Sequence, residues 1–152
     1  SDSRSNYFNM SNSLQIKSKN QDAPNIISYN QNKDMEKYIN KLGKPDLTIL
    51  GLGEDGHTAS IFPNSLNSYT IKKNIIKIKN EFEPFHRISL SFNYLMQSEV
   101  IYFILTGKEK ANALKKCLSS TPDYMNFPAQ YIFHNYKKDI FIFCDKDATS
   151  LL

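Results

Sequence analysis

One stretch constrains this chain more than any other: Asp46-Leu-Thr-Ile-Leu-Gly51-Leu-Gly53-Glu-Asp55-Gly56-His57-Thr-Ala-Ser60-Ile-Phe-Pro63. The apolar run Leu47 to Leu50 has the length and composition of a buried strand. Gly51, Gly53 and Gly56 then force a tight loop, and a histidine follows directly. In an open α/β sheet, ligands bind in the crevice beyond the carboxyl ends of the strands. The pattern therefore places His57 where chemistry is expected.

The remaining punctuation repeats the alternation. Asp34 to Leu42 has apolar residues at helical spacing (Met35, Tyr38, Ile39, Leu42) and is stopped by Gly43 and Pro45. Strands are expected at Ile26–Tyr29, Asp46–Leu50, Ile75–Ile78, Val100–Leu105, Tyr131–Phe133 and Asp139–Cys144, with an extended segment at Arg87–Ser91. Helices or helical turns are expected at Ser5–Leu14, Asn93–Ser98, Lys108–Leu118 and Asp147–Leu152. The helix at Lys108–Leu118 should bury Ala111, Leu114 and Leu118. Short strands alternating with helices predict an α/β fold with a largely parallel sheet flanked by helices. At 152 residues one domain is expected.

Composition removes several function classes. No apolar run reaches membrane-span length, so no membrane association is expected. There is no signal-peptide h-region, so secretion is unsupported and a cytoplasmic location is expected. The start at Ser1 without Met suggests a processed chain or a piece of a longer one. The net charge of +4 comes from dispersed lysines, with no basic stripe interleaved with aromatics, so no nucleic-acid partner is expected. Ile76 to Lys79 alternates like a strand with one wet face. The two cysteines, Cys117 and Cys144, are expected to be reduced and buried, and the three histidines form no ligand-spaced cluster, so no metal site is expected.

Gly51-Leu-Gly53-Glu-Asp-Gly56 satisfies G-x-G-x-x-G directly after a strand, the dinucleotide fingerprint. A pyrophosphate site needs a sustained helix after the third glycine, whose free N–H groups and dipole meet the phosphates. Pro63 arrives seven residues after Gly56, and a proline inside a helix costs about 3 kcal/mol. The fingerprint therefore fails. His57 retains two readings, a structural histidine or a general base, since imidazole titrates near neutral pH. Asp55 is either a turn residue or an orienter of His57. Arg87 either grips an anion or makes a rim salt bridge. His86 and His134 lack the strand–glycine context and read as surface or packing residues. There is no G-x-S-x-G elbow, so a serine nucleophile is unsupported.

These residues resemble the 6-phosphogluconolactonase family, within the glucosamine-6-phosphate isomerase/6-phosphogluconolactonase superfamily. Asp46 to Pro63 is similar to its signature, D-hydrophobic run-G-x-G-x-D-G-H-T-A-S-hydrophobic-F-P. Further along, Arg87-Ile-Ser-Leu-Ser91 resembles R-I-T-L-T. Thr106-Gly-Lys-Glu-Lys-Ala111 resembles T-G-x-x-K-A, Phe127-Pro-Ala-Gln130 resembles L-P-A-Q, and Asp145-Lys-Asp-Ala148 resembles D-x-x-A. Glucosamine-6-phosphate deaminases share a G-x-D-G-H loop but continue as I-A-F-N-E-P, unlike Thr58 to Pro63. The chain departs from the family in two places. The first strand and its glycine-rich phosphate loop are absent, so the domain, residues 1–152, is expected to be N-terminally incomplete. Glu81-Phe-Glu-Pro84 stands where the family has K-P-P, with Lys79 as a substitute cation.

The resemblance implies a Rossmann-like, NagB/RpiA-like fold and hydrolysis of 6-phospho-D-glucono-1,5-lactone in the oxidative pentose phosphate pathway. It implies a metal-free mechanism without a cofactor, with His57 as base and Asp55 beside it. The amides of Gly51, Gly53 and Gly56 would face the oxyanion. Asp2, Arg4, Lys79 and Arg87 would contact the rest of the substrate. It is also compatible with covalent fusion to, or association with, a glucose-6-phosphate dehydrogenase, as occurs in some organisms. The alternatives are a deaminase-like enzyme and a catalytically inactive sugar-phosphate-binding module.

Overall fold

The computed structural model describes residues 9–10, 13, 34–65, 69–79 and 86–152. The helix and strand expected at Ser5–Leu14 and Ile26–Tyr29 lie largely or wholly outside them. The chain divides into two compact units, Ser1–Tyr38 and Ile39–Leu152, and the elements below belong to the second, except that the first helix spans the boundary. That helix, α1 (Met35–Leu42), carries Asp34 ahead of its first turn, where the carboxylate accepts the Lys37 N–H at 3.1 Å. Ile39 is its buried residue, whereas Leu42, expected on the same face, is exposed.

The main sheet is parallel, in the order β1 (Leu47–Leu50), β4 (Val100–Leu105), β5 (Asp139–Cys144). Register pairs Leu50 with Phe103 and Leu105 with Cys144, so all three strands end at one edge. Between β1 and β4 run β2 (Ile75–Lys79) and β3 (His86–Leu90), a separate antiparallel pair. Ile76 and Ile78 are buried and Lys77 is exposed, the one-sided pattern that alternation predicts. A short helix, α2 (Phe92–Leu95), is capped by Ser91, whose hydroxyl accepts from Tyr94 N–H and donates to Lys73 O.

After β4, a 3₁₀ turn (Lys108–Lys110) leads into α3 (Ala111–Leu118). The buried face of α3 is Ala111, Ala113, Leu114 and Cys117. Leu118, expected inside and one helical turn on from Leu114, is exposed as the last residue of the helix. α4 (Gln130–Asn135) overturns the strand expected at Tyr131–Phe133. A short apolar run is ambiguous between strand and buried helix. Here Pro128 stands just ahead of the helix and its carbonyl accepts Tyr131 N–H at 3.0 Å, and only Ile132 of the three is fully buried. Asp147–Leu152 forms successive four-residue turns, closed by Ser150 N–H to Asp147 O and Leu152 N–H to Thr149 O, without a regular helix.

The core lies on one face of the main sheet. Leu50, Ile101, Phe103 and Leu105 pack there with Leu114, Cys117 and Ile132. The opposite face leaves Leu47, Ile49, Ile104, Phe141 and Phe143 exposed. Cys117 is buried, and burial pushes its thiol up from 9.0 to about 12. Cys144, expected to be buried, is exposed at the end of β5. Among the described residues no three His, Cys, Asp or Glu side chains are grouped to hold a metal ion, and no helix is long and apolar enough to cross a membrane.

Candidate active site

The glycine loop begins where β1 ends. It closes on itself: Gly53 N–H donates to His57 O at 2.8 Å, and Gly56 N–H donates to Gly53 O at 2.9 Å. Gly56 O then accepts Ala129 N–H at 2.9 Å, which pins the loop to the start of α4. Gly56 has φ +82°, and a Cβ there would lie 2.9 Å from the Phe127 Cα, so both backbone angle and space require glycine. At Gly53 the requirement is space alone. A Cβ would sit 2.1 Å from His57 Nδ1 and 2.4 Å from Asp55 Oδ1. Gly51 meets nothing within 4 Å, and its carbonyl accepts the Thr58 hydroxyl at 2.9 Å.

This closure brings Asp55 against His57. Asp55 Oδ1 lies 2.6 Å from His57 Nδ1 and accepts the His57 backbone N–H at 3.1 Å. The two readings of Asp55, turn residue and orienter, are thus one geometry. A carboxylate can only accept, so Nδ1 donates to Asp55 and Nε2 is left to accept a proton. His57 is half-buried, and its ring lies 4.6 Å from the Phe62 ring, centroid to centroid. No helix follows the third glycine: Thr58 and Ile61 form an isolated bridge, and Ala59 and Asn64 have φ of +53° and +59°. That is the failure of the dinucleotide pattern that Pro63 foretells.

Arg87 joins from β3. Its guanidinium carbon sits 5.5 Å from the centre of the Phe62 ring, so Phe62 contacts both Arg87 and His57. Two residues on, and so on the same side of the strand, Ser89 Oγ accepts Ser60 N–H at 3.0 Å and ties β3 to the histidine turn. Lys79 ends β2, where its backbone pairs with His86. Asp2 and Arg4 lie outside the described residues. His134 is a packing residue, bonded through Nε2 to Ser119 O at 2.8 Å and through Nδ1 to Tyr124 OH at 3.2 Å.

At the carboxyl edge of the sheet an open recess of about 290 Å³ is lined by Leu50, Gly51, Gly53, His57, Ala59 and Lys110, among others. Lys110 is the residue that sequence reasoning missed as a site residue. The signal was available: the crevice rule that singles out the loop after β1 applies equally to the T-G-x-x-K turn after β4. Two amides expected to face an oxyanion, those of Gly53 and Gly56, are already bonded within the loop. What the arrangement offers is a carboxylate-held imidazole in a small open recess, with one ammonium on its lining and one guanidinium against the Phe62 ring.

Comparison with known proteins agrees with this layout. Residues 1–142 match the family model described as glucosamine-6-phosphate isomerases/6-phosphogluconolactonase. A 6-phosphogluconolactonase from Helicobacter pylori (strain J99 / ATCC 700824) is 35% identical over 127 residues, 82% of this chain and 55% of its own length. A glucosamine-6-phosphate deaminase from Clostridium botulinum (strain Kyoto / Type A2) is 30% identical across 95% of this chain and 64% of its own. The solved structure of a 6-phosphogluconolactonase from Shewanella baltica OS155 superposes with a TM-score of 0.67 at 27% identity, covering 79% of this chain and 54% of that one. The chain thus spans about half the length of the lactonases it matches. By fold, loop and sequence, it belongs to the glucosamine-6-phosphate isomerase/6-phosphogluconolactonase family.

Proposed function

We propose that this chain carries the hydrolytic centre of a 6-phosphogluconolactonase, which opens 6-phospho-D-glucono-1,5-lactone to 6-phosphogluconate. The observation that carries the reading is the Asp55–His57 contact of 2.6 Å, built into a loop that leaves no room for a side chain at Gly53. His57 Nε2 takes a proton from a water molecule as the water oxygen bonds to the lactone carbonyl carbon, C1. The carbonyl π electrons move onto its oxygen. Collapse of that adduct breaks the bond from C1 to the ring oxygen, which leaves with the proton returned by the imidazolium. Asp55, accepting the Nδ1–H, stabilises the imidazolium between the two transfers. Lys110 and Arg87 supply positive charge for the phosphate end, and the net charge of +4 favours an anionic substrate.

The same reading places the reaction in the cytoplasm, beside a glucose-6-phosphate dehydrogenase that forms the lactone, fused to this chain or associated with it. Its support is the lactonase names of the relatives. Thr58 to Pro63 favours the lactonase over the deaminase. The test is acid release from freshly prepared lactone, with the spontaneous rate subtracted. Turnover above that rate supports the proposal. Ammonia release from glucosamine 6-phosphate would select the deaminase instead. Binding of 6-phosphogluconate without turnover would select an inactive sugar-phosphate-binding module.

A further inference from the structure

We infer that Asp145, at the end of β5, is a positioning residue that holds Lys110 in the recess. The inference rests on the reading of Lys110 as a substrate cation. Lys110 reaches the recess on a turn that begins at Gly107, directly after β4. Gly107 has φ +96° and ψ 150°, a conformation open to glycine alone, so the turn carries no local preference that would define its direction. No side chain caps the 3₁₀ turn at its start. Two hydrogen bonds in series supply the direction. Lys110 N–H donates to Gly107 O at 3.1 Å. Gly107 N–H in turn donates to the Asp145 carboxylate, 3.0 Å from Oδ2 and 3.2 Å from Oδ1. One residue therefore separates the carboxylate from the lysine backbone.

Asp145 is itself anchored. Its Oδ1 accepts Ala148 N–H at 2.8 Å, and Ala148 is fully buried. Parallel pairing of Leu105 with Cys144 sets the ends of β4 and β5 side by side, which brings the carboxylate to the turn. The carboxylate is exposed and its hydrogen bonds go to the Gly107 and Ala148 amides, neither of which lines the recess, so its effect on substrate is exerted through the turn. Chain segments 38 residues apart thereby couple the last strand to the lysine.

The experiment is a double-mutant cycle on the 152-residue chain, read by 6-phosphogluconate titration and by KM and kcat for the lactone. Lys110→Ala and Asp145→Ala should each weaken binding and raise KM by at least about threefold, with kcat little changed. Asp145→Ala should add nothing in the Lys110→Ala background. Asp145→Asn, whose amide oxygen still accepts from Gly107, should recover most of the loss. If Asp145→Ala does not fold, Asp145→Ser serves, because its shorter hydroxyl can keep the local bond to Ala148 and not the one to Gly107. Full additivity, or unchanged affinity in the Asp145 variants while Lys110→Ala is impaired, would overturn the inference. An unimpaired Lys110→Ala would overturn the reading of the site on which it rests, and the inference with it.

Discussion

One oxygen of Asp55 makes both contacts with His57: Oδ1 lies 2.6 Å from the ring Nδ1 and 3.1 Å from the backbone nitrogen. The turn that shapes the loop and the bond that orients the imidazole therefore cannot be separated by removing the side chain, but they can be separated by removing its charge. Asp55→Asn keeps an oxygen able to accept both bonds and loses the charge that stabilises the imidazolium. A hydrogen bond to a charged group contributes about 1.5–3 kcal/mol. Both side chains are a third or more exposed, which screens the charge, so the low end applies. Initial rates should show kcat falling about tenfold with KM unchanged.

The glycines divide by what surrounds them. Gly51→Ala should leave stability within about 0.5 kcal/mol of the parent, because nothing lies near the new methyl group. Gly53→Ala should keep the fold and lose most activity, because the methyl group occupies the space of His57 Nδ1 and Asp55 Oδ1. Gly56→Ala should lower the melting temperature most. It places a side chain at φ +82° and against the Phe127 backbone. Thermal denaturation and activity of the three variants together test this ordering, and a Gly51 variant as damaged as Gly56→Ala would refute it.

Gln130 is a buried polar clamp. Its Nε2 donates to Lys116 O at 2.8 Å and Thr121 O at 3.0 Å, and its Oε1 accepts Asp123 N–H at 2.6 Å. It so satisfies the carboxyl end of α3 and the loop beyond it. Gln130→Leu conserves volume and strands these groups. Chemical denaturation should show a loss of about 2–4 kcal/mol.

The cysteines should differ in reactivity. Cys144 is exposed, whereas Cys117 is buried with its thiol pushed up to about 12. A thiol reagent at neutral pH should modify one cysteine in the folded chain and both in denaturant. The sign of the linkage follows. Below the ordinary thiol value of 9.0, Cys117 is protonated in both states and the shift costs nothing. As pH rises from 9.0 toward about 12 the unfolded thiol ionises first, so stability falls across that window.

Much of the site was legible because it is local. Asp55, Gly56 and His57 are neighbours in sequence, and the glycine spacing forces their turn. The strands β1, β4 and β5 were legible from continuous apolar runs, the pattern of parallel strands, although one face of their sheet is exposed among the described residues. What escaped depends on register between distant segments. Lys110 reaches the recess because β1 and β4 pair in parallel, Leu50 beside Phe103, which sets their following loops side by side. Arg87 approaches through Phe62, a ring whose position is set by a turn with Ala59 at positive φ. Tyr131–Phe133 was misread because three apolar residues carry no period. Leu118 and Cys144 were misplaced because they sit at the ends of their elements, where a pattern no longer reports burial.

The most direct test of the account is the rate of lactone opening by the parent chain and by His57→Ala, measured side by side with the spontaneous rate subtracted. The account predicts turnover by the parent and a loss of about 100-fold or more in the variant, with the circular dichroism spectrum unchanged. Full activity in a folded His57→Ala chain would contradict it.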